Sequence, residues 1–214
     1  VARPKVPDTT VSLLTETSKM PCKSWSLPAK DACPYAVYGP GTICGSCYAA
    51  KGMYVWACVQ QAQQTRFAWV RESLKTTEGR DAFVSHMVAA IRAERKPYFR
   101  IHDSGDFFNR AYVECWQRIA RALPEVKFWA PTRAWQTRNP WRDALVDLAA
   151  LPNVTVRPSA LFFDAPPPRI DGFAAGTTAT TGGFSCPASL QGGECRDCRV
   201  CWDEPDREVS YHKH

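Results

Sequence analysis

The chain has 214 residues, of which 45% are apolar and 12% aromatic, enough for one domain with a genuine core. No run approaches the roughly 20 apolar residues of a bilayer-spanning helix, and residues 1–20 are polar and Pro/Thr-rich without an apolar leader core, so the composition excludes a helical membrane protein and predicts a cytoplasmic one. The net charge of +6, from 27 basic and 21 acidic residues, is spread along the chain rather than gathered in a basic tail, so it does not by itself select a nucleic-acid partner.

Ten cysteines in a chain with no export signal argue for metal sites rather than disulfides. Residues 1–20 are expected to form an extended arm, residues 21–163 an α/β core, and residues 164–214 a Pro/Gly-rich connection and a cysteine-rich tail packed on that core. Lys23 to Pro28 suits a short strand. It leads into a Gly- and Pro-rich loop carrying Cys33, Cys44 and Cys47, separated by ten and then two residues. A C-x-x-C pair plus a third thiolate gives three protein ligands, the number that leaves one iron of a [4Fe-4S] cluster open.

From Tyr48 to Ser73 the pattern predicts a helix entered directly from this loop, its N-terminus favouring a negatively charged cluster. A second helix is expected over 81–95, with Phe83, Val84, Met87, Val88 and Ile91 on one stripe. Strands are expected at Tyr98–Ile101, Val126–Ala130 and Asn153–Val156, with helices at Arg110–Leu123 and from Asn139-Pro140 to Ala150. In the last of these Asn139 serves as N-cap and Pro140 as the first helical residue. Alternating strands and helices with short links predict an α/β fold built on a small parallel sheet or partial (β/α) barrel.

In such folds the site forms at the carboxyl ends of the strands. The first strand ends in His102-Asp103-Ser104-Gly105-Asp106-Phe107, the second in Pro131-Thr132-Arg133, and the third in Arg157-Pro158-Ser159. His102 and Asp103 are candidates for general acid or base, Asp106 for the same role or a helix cap, and Arg133 for holding an anionic group. A hydrogen-bonded core histidine is the plainer role for His102, and pairing with a nearby acid the plainer one for Arg157. Ser104 is expected to be exposed on a tight turn.

The tail thiols Cys186, Cys195, Cys198 and Cys201 are spaced eight, two and two apart. Four thiolates suit a closed zinc site or a second [4Fe-4S] cluster, and one of them is also a candidate fourth ligand for the first cluster. Cys22, Cys58 and Cys115 are scattered and expected to be buried, inert thiols, with Cys22 the first to promote if a ligand is missing.

The run Ser24-Trp25-Ser26-Leu27-Pro28-Ala29, Cys33-Pro34 and Cys44-Gly45-Ser46-Cys47-Tyr48-Ala49 resembles the gene product 88 family of tailed bacteriophages. So do Ser104-Gly105-Asp106-Phe107, Phe128-Trp129-Ala130 with Thr132-Arg133, and Ser185-Cys186-Pro187-Ala188. The resemblance implies a phage protein of the host cytoplasm with cluster-binding cysteines. More distantly, the thiol loop after a first strand is similar to radical S-adenosylmethionine enzymes, which have three and two residues between their cysteines where this chain has ten and two. The expected function is non-redox hydrolysis of an ester or similar acyl bond in a small-molecule substrate, with an open iron as Lewis acid. The alternatives are S-adenosylmethionine-dependent radical chemistry and a zinc-stabilised nucleic-acid-binding module.

Overall fold

In the computed structural model, residues 12–179 and 184–211 are described, so most of the expected N-terminal arm lies outside the described residues. Four strands, β1 (Ser24–Ser26), β2 (Tyr98–Ser104), β3 (Lys127–Thr132) and β4 (Val154–Pro158), form a wholly parallel sheet in the order β1-β2-β3-β4. Between them run α1 (Ala57–Ser73) and α2 (Thr77–Ala93), then α3 (Arg110–Ala122), then α4 (Trp141–Ala149). Sequential parallel strands need crossovers of one hand, which stack consecutive helices on one side of the sheet.

Side-chain alternation divides the labour between the two faces. Phe99, Ile101, Phe128, Ala130, Val154 and Val156 join the main core with helical residues such as Phe83, Met87, Trp116 and Leu145. Tyr98, Arg100, Trp129, Thr155 and Arg157 point the other way and meet the C-terminal tail. There Trp202 of α5 (Val200–Asp203) lies edge-on to Trp129 with ring centroids 5.1 Å apart and donates to the Phe99 carbonyl at 3.0 Å. The second face is buried under the tail with polar and aromatic residues, so β2 and β4 alternate apolar with polar side chains although both faces are covered.

A second sheet extends the parallel arrangement. Its strands β5 (Thr177–Thr178), β6 (Phe184–Ser185) and β7 (Val209–Ser210) are ordered β5-β7-β6, and a parallel bridge from Ser159 to Thr177 joins it to the end of β4. These two-residue strands carry too little periodicity to be legible in the sequence.

Three local expectations are corrected. The helix expected from Tyr48 begins only at Ala57, because Tyr48–Ala50 and Gly52–Val55 form two 3-10 turns broken at Gly52, where φ is +55°. The cysteine loop therefore does not abut a helix N-terminus. The helix expected at Asp81 starts at Thr77 because the Thr76 hydroxyl accepts from the Gly79 N–H at 3.0 Å, a side-chain cap. At α4, Asn139 makes no cap: Pro140 itself precedes the first helical residue, after a cis peptide bond.

Candidate functional site

The carboxyl ends of β1 to β4 and the loop after β1 enclose a cavity of about 900 Å³, within the usual range for small-molecule sites. Cys33, Cys44 and Cys47 lie on its wall with Asp103 to Asp106, Pro131, Arg133 and Ser159. The structure thus brings the thiol loop to the same rim as the strand ends, as expected from the order of elements. Arg157 is the exception, being turned into the tail.

Two features of β2 shape this rim. Its register against β1 slips, with Ser24 opposite Arg100 but Ser26 opposite Ser104. Across the slip Ile101 and His102 both pack toward the helices while Asp103 joins the cavity wall. The strand then turns at Gly105, where φ is +84° and an added Cβ would stand 2.6 Å from Leu27 Cβ, so only glycine fits.

Asp106, beyond that turn, is a fastener. Its Oδ1 accepts from the Phe107 N–H at 2.7 Å and the Thr132 hydroxyl at 2.6 Å, and its Oδ2 accepts from the Arg133 N–H at 2.8 Å. Burial raises its pKa, opposed by these hydrogen bonds, first that from Thr132. The carboxylate ties the end of β2 to the end of β3, while the Arg133 guanidinium is oriented by its Nε donating to the Ala160 carbonyl at 3.2 Å. It does not cap α3, a task performed by Asn109, which accepts from the Tyr112 N–H at 2.9 Å.

His102 borders the cavity, yet its ring is packed against Phe107, Tyr112 and Trp116, and Nε2 lies 2.9 Å from the Tyr112 hydroxyl. Burial, with Arg100 nearby, pushes its pKa down to about 3, so it is neutral at physiological pH. The structure supports the core role for His102 over that of an acid or base facing substrate.

Asp103 is the carboxylate that fits the chemical role. It is 2% exposed, its Oδ2 accepts from the Tyr54 hydroxyl at 3.1 Å, and its Oδ1 has no hydrogen-bond partner. Burial raises its pKa, and Arg100 is the largest opposing pull. The Ser24 and Ser26 hydroxyls lower it further through proximity, although neither meets Oδ1 at hydrogen-bonding geometry. Ser104 is 4% exposed rather than open to solvent, and its hydroxyl is likewise unpartnered. With His102 Nδ1, this segment carries three buried polar atoms without a partner beside the cavity, and a polar ligand can complete them.

Arg100 and two tyrosines form the rest of this wall. The Arg100 guanidinium lies 4.5 Å from the Trp129 ring centroid, donates through Nε to the His102 carbonyl at 2.6 Å and through Nη2 to the Tyr48 hydroxyl at 3.1 Å. Tyr48 in turn donates to the Asp103 carbonyl. The sequence reading missed Arg100, Tyr48 and Tyr54. Arg100 was available from strand alternation, but the tyrosines were assigned to a helix that does not form there.

The loop thiols share one environment. Burial pushes Cys33 up to about 12, and Asp106, Cys44 and Cys47 add to the rise. Burial also raises Cys44, with Arg133 the largest opposing influence. Cys33 and Cys44, reluctant to ionise alone, would be deprotonated by a metal that takes the place of their protons. None of the three is in a disulfide. Among the described residues no three His, Cys, Asp or Glu side chains converge on a single ion. Three thiols on the wall of a roomy cavity are a donor set that suits a cluster, whose thiolates each bond a different iron.

The tail thiols Cys186, Cys195, Cys198 and Cys201 surround a second, much smaller cavity under Trp202. The two thiol groups line different cavities, so the structure does not bring a tail cysteine to the loop trio. Cys22 packs with the tail group, beside Trp129, Trp202, Cys195 and Cys201, and Cys115 is buried as expected. Cys58 is exposed, against expectation, because it sits in the first turn of α1 at the cavity edge.

Residues 5–161 match the family described as Gene product 88. The chain is similar to the Gene 88 protein of Mycobacterium phage L5, 34% identical over 132 residues that make up 58% of this chain and 49% of that protein. It is also similar to the Gene 88 protein of Mycobacterium phage D29, 40% identical over 75 residues, 34% of this chain and 26% of that protein. The chain spans about half or less of the length of these curated relatives. No solved structure matches. The family match takes in the loop thiols and the ends of β2, β3 and β4 and stops short of the tail cysteines.

Proposed function

The chain belongs to the gene product 88 family, and we propose that it is an iron–sulfur enzyme of the S-adenosylmethionine-dependent kind, its cluster held by Cys33, Cys44 and Cys47. The observation that carries this reading is topological. A thiol loop directly after the first strand faces the carboxyl end of a parallel sheet in sequential order, over a cavity of about 900 Å³. When bound, the cluster supplies an electron and an open iron to a cosubstrate in that cavity.

The chain's own residues do the binding and orienting. Asp103 Oδ1 and the Ser104 hydroxyl accept from a cationic, hydrogen-bond-donating group such as the ammonium of the methionine moiety. Arg133, oriented by its Nε bond to the Ala160 carbonyl, lines the cavity with Cys44 and holds an anionic group, either the cosubstrate carboxylate or the substrate. Apolar Met53, Ala62 and Pro131 exclude water from the remaining wall.

The second reading is Lewis-acid hydrolysis of an acyl bond, favoured by Asp103, a buried cavity carboxylate of raised pKa suited to accept a proton. A nucleic-acid module draws less support: Trp25, Trp69, Trp116, Trp129 and Trp202 are buried, so most of the tryptophans serve the fold, with Trp56 the exposed exception. Among the described residues no helix is long and apolar enough to cross a membrane.

The test is incubation of anaerobically purified protein with S-adenosylmethionine and dithionite. The expected result is reductant-dependent 5′-deoxyadenosine, absent in Cys44→Ala. No 5′-deoxyadenosine, together with ester cleavage that disappears when iron is stripped, would replace this reading by the hydrolytic one.

A further inference from the structure

The tail contains a buried charge that the main site does not explain. Arg157 is 0% exposed, and all five of its N–H groups donate to main-chain carbonyls: Cys201 at 3.2 Å, Ala175 at 2.8 Å, Arg207 at 2.7 Å, Val200 at 3.0 Å and Glu204 at 2.5 Å. Among the described residues no carboxylate hydrogen-bonds to it, although Glu204 and Asp206 are close enough to act on it. Its Nε and Nη2 bonds to the Cys201 and Val200 carbonyls set it directly against the tail thiols, where a desolvated cation favours further negative charge.

Other cations lie around the same spot: Lys19 Nζ is 5.6 Å from the Tyr211 ring centroid, the Arg100 guanidinium 4.5 Å from that of Trp129 and the Arg199 guanidinium 5.4 Å from that of Tyr98. Arg199 is braced to the Cys198 carbonyl at 2.9 Å. At the centre stand the four thiols around their small cavity. The main chain presents them deliberately: Cys195 N–H donates to Lys19 at 2.7 Å, Cys198 N–H to Cys195 at 2.9 Å, and Cys186 N–H to Ser210 at 2.8 Å. Arg196, between Cys195 and Cys198, takes a left-handed φ of +43° that tightens this turn.

We propose that Cys186, Cys195, Cys198 and Cys201 hold a second, closed metal centre with a net negative charge, balanced by Arg157 and the surrounding cations. Four thiolates around zinc or an iron–sulfur cluster leave an anionic centre beside the buried Arg157 guanidinium. As they stand the four thiols do not converge on a single ion, so metal entry draws them inward by rotation about their Cα–Cβ bonds. Tyr211, whose hydroxyl lies 3.4 Å from Cys201 Sγ, also lines the main cavity, so the closed centre braces one wall of the site described above. The proposal does not depend on what the loop thiols bind.

The test uses the full chain carrying Cys44→Ala and Cys47→Ala, which leaves the tail intact. Metal and sulfide analysis is expected to find either about one zinc, or about four iron with matching sulfide, per chain. Alkylation followed by mass spectrometry is expected to find Cys195, Cys198 and Cys201 protected until a chelator is added, while Cys58 reacts at once. Zinc and iron each support the centre and identify its metal. A folded, metal-free chain whose tail thiols alkylate as fast as Cys58 would overturn it. Loss of iron from the loop with the tail metal retained would separate this inference from the reading of the main site.

Discussion

Replacing Arg157 by alanine is expected to lower the free energy of unfolding by about 3–5 kcal/mol, as much as truncating a fully buried core aromatic. The side chain spans the turn after β4, α5 and the segment that leads to β7, and it donates to five carbonyls from five different residues. Its removal takes a donor from all five, of which Val200 and Glu204 keep a backbone N–H, and opens a space beneath α5. Arg157→Lys should recover only part of the loss, because an ammonium has three donors and lacks the planar fork that reaches all five. Urea denaturation checks this. A change within about 0.5 kcal/mol, the range of ordinary surface substitutions, would mean that the tail is held on the sheet by something else.

Asp103→Asn is expected to weaken S-adenosylmethionine binding about 10–100-fold with little change in thermal stability. A charge-assisted hydrogen bond is replaced by a neutral one, and one carboxylate oxygen becomes a donor facing a donor. The effect carries a pH signature. Burial raises the pKa of Asp103, so the acid form extends to higher pH than for an exposed aspartate. Affinity for a cationic group therefore rises with pH as this carboxyl ionises, then levels off, and falls as pH drops through its pKa. In Asp103→Asn that dependence should vanish. Equilibrium dialysis across the acid-to-neutral range measures it, and an unchanged profile in the variant would remove Asp103 from the binding site.

The sheet was legible because its strands are short segments with β-branched or aromatic residues at alternate positions, separated by well-patterned helices. Phe83, Val84, Met87 and Ile91 all proved buried on the core side of α2. Convergence of the thiol loop with Asp103, Asp106 and Arg133 followed from the rule that parallel strands present their carboxyl ends to one rim. What escaped the sequence was decided by contacts between distant segments. The register slip in β2 sends His102 to the helices and Asp103 to the cavity, and nothing in a single strand announces a slip. Asp106 looked like a catalytic acid or a cap because its partners, Thr132 and Arg133, lie on the next strand. Arg157 finds carbonyls rather than an acid because the tail, read only as a row of cysteines, folds back over β4.

The most direct test of the account is the iron, sulfide and zinc content of anaerobically purified protein, with its visible absorption spectrum. The account predicts a brown protein with iron and sulfide in equal amounts, reduced but not abolished in the Cys44→Ala, Cys47→Ala variant if the tail also holds a cluster, and abolished there if the tail holds zinc. A colourless wild-type protein with zinc and no iron would contradict the claim that the loop after β1 holds an iron–sulfur cluster.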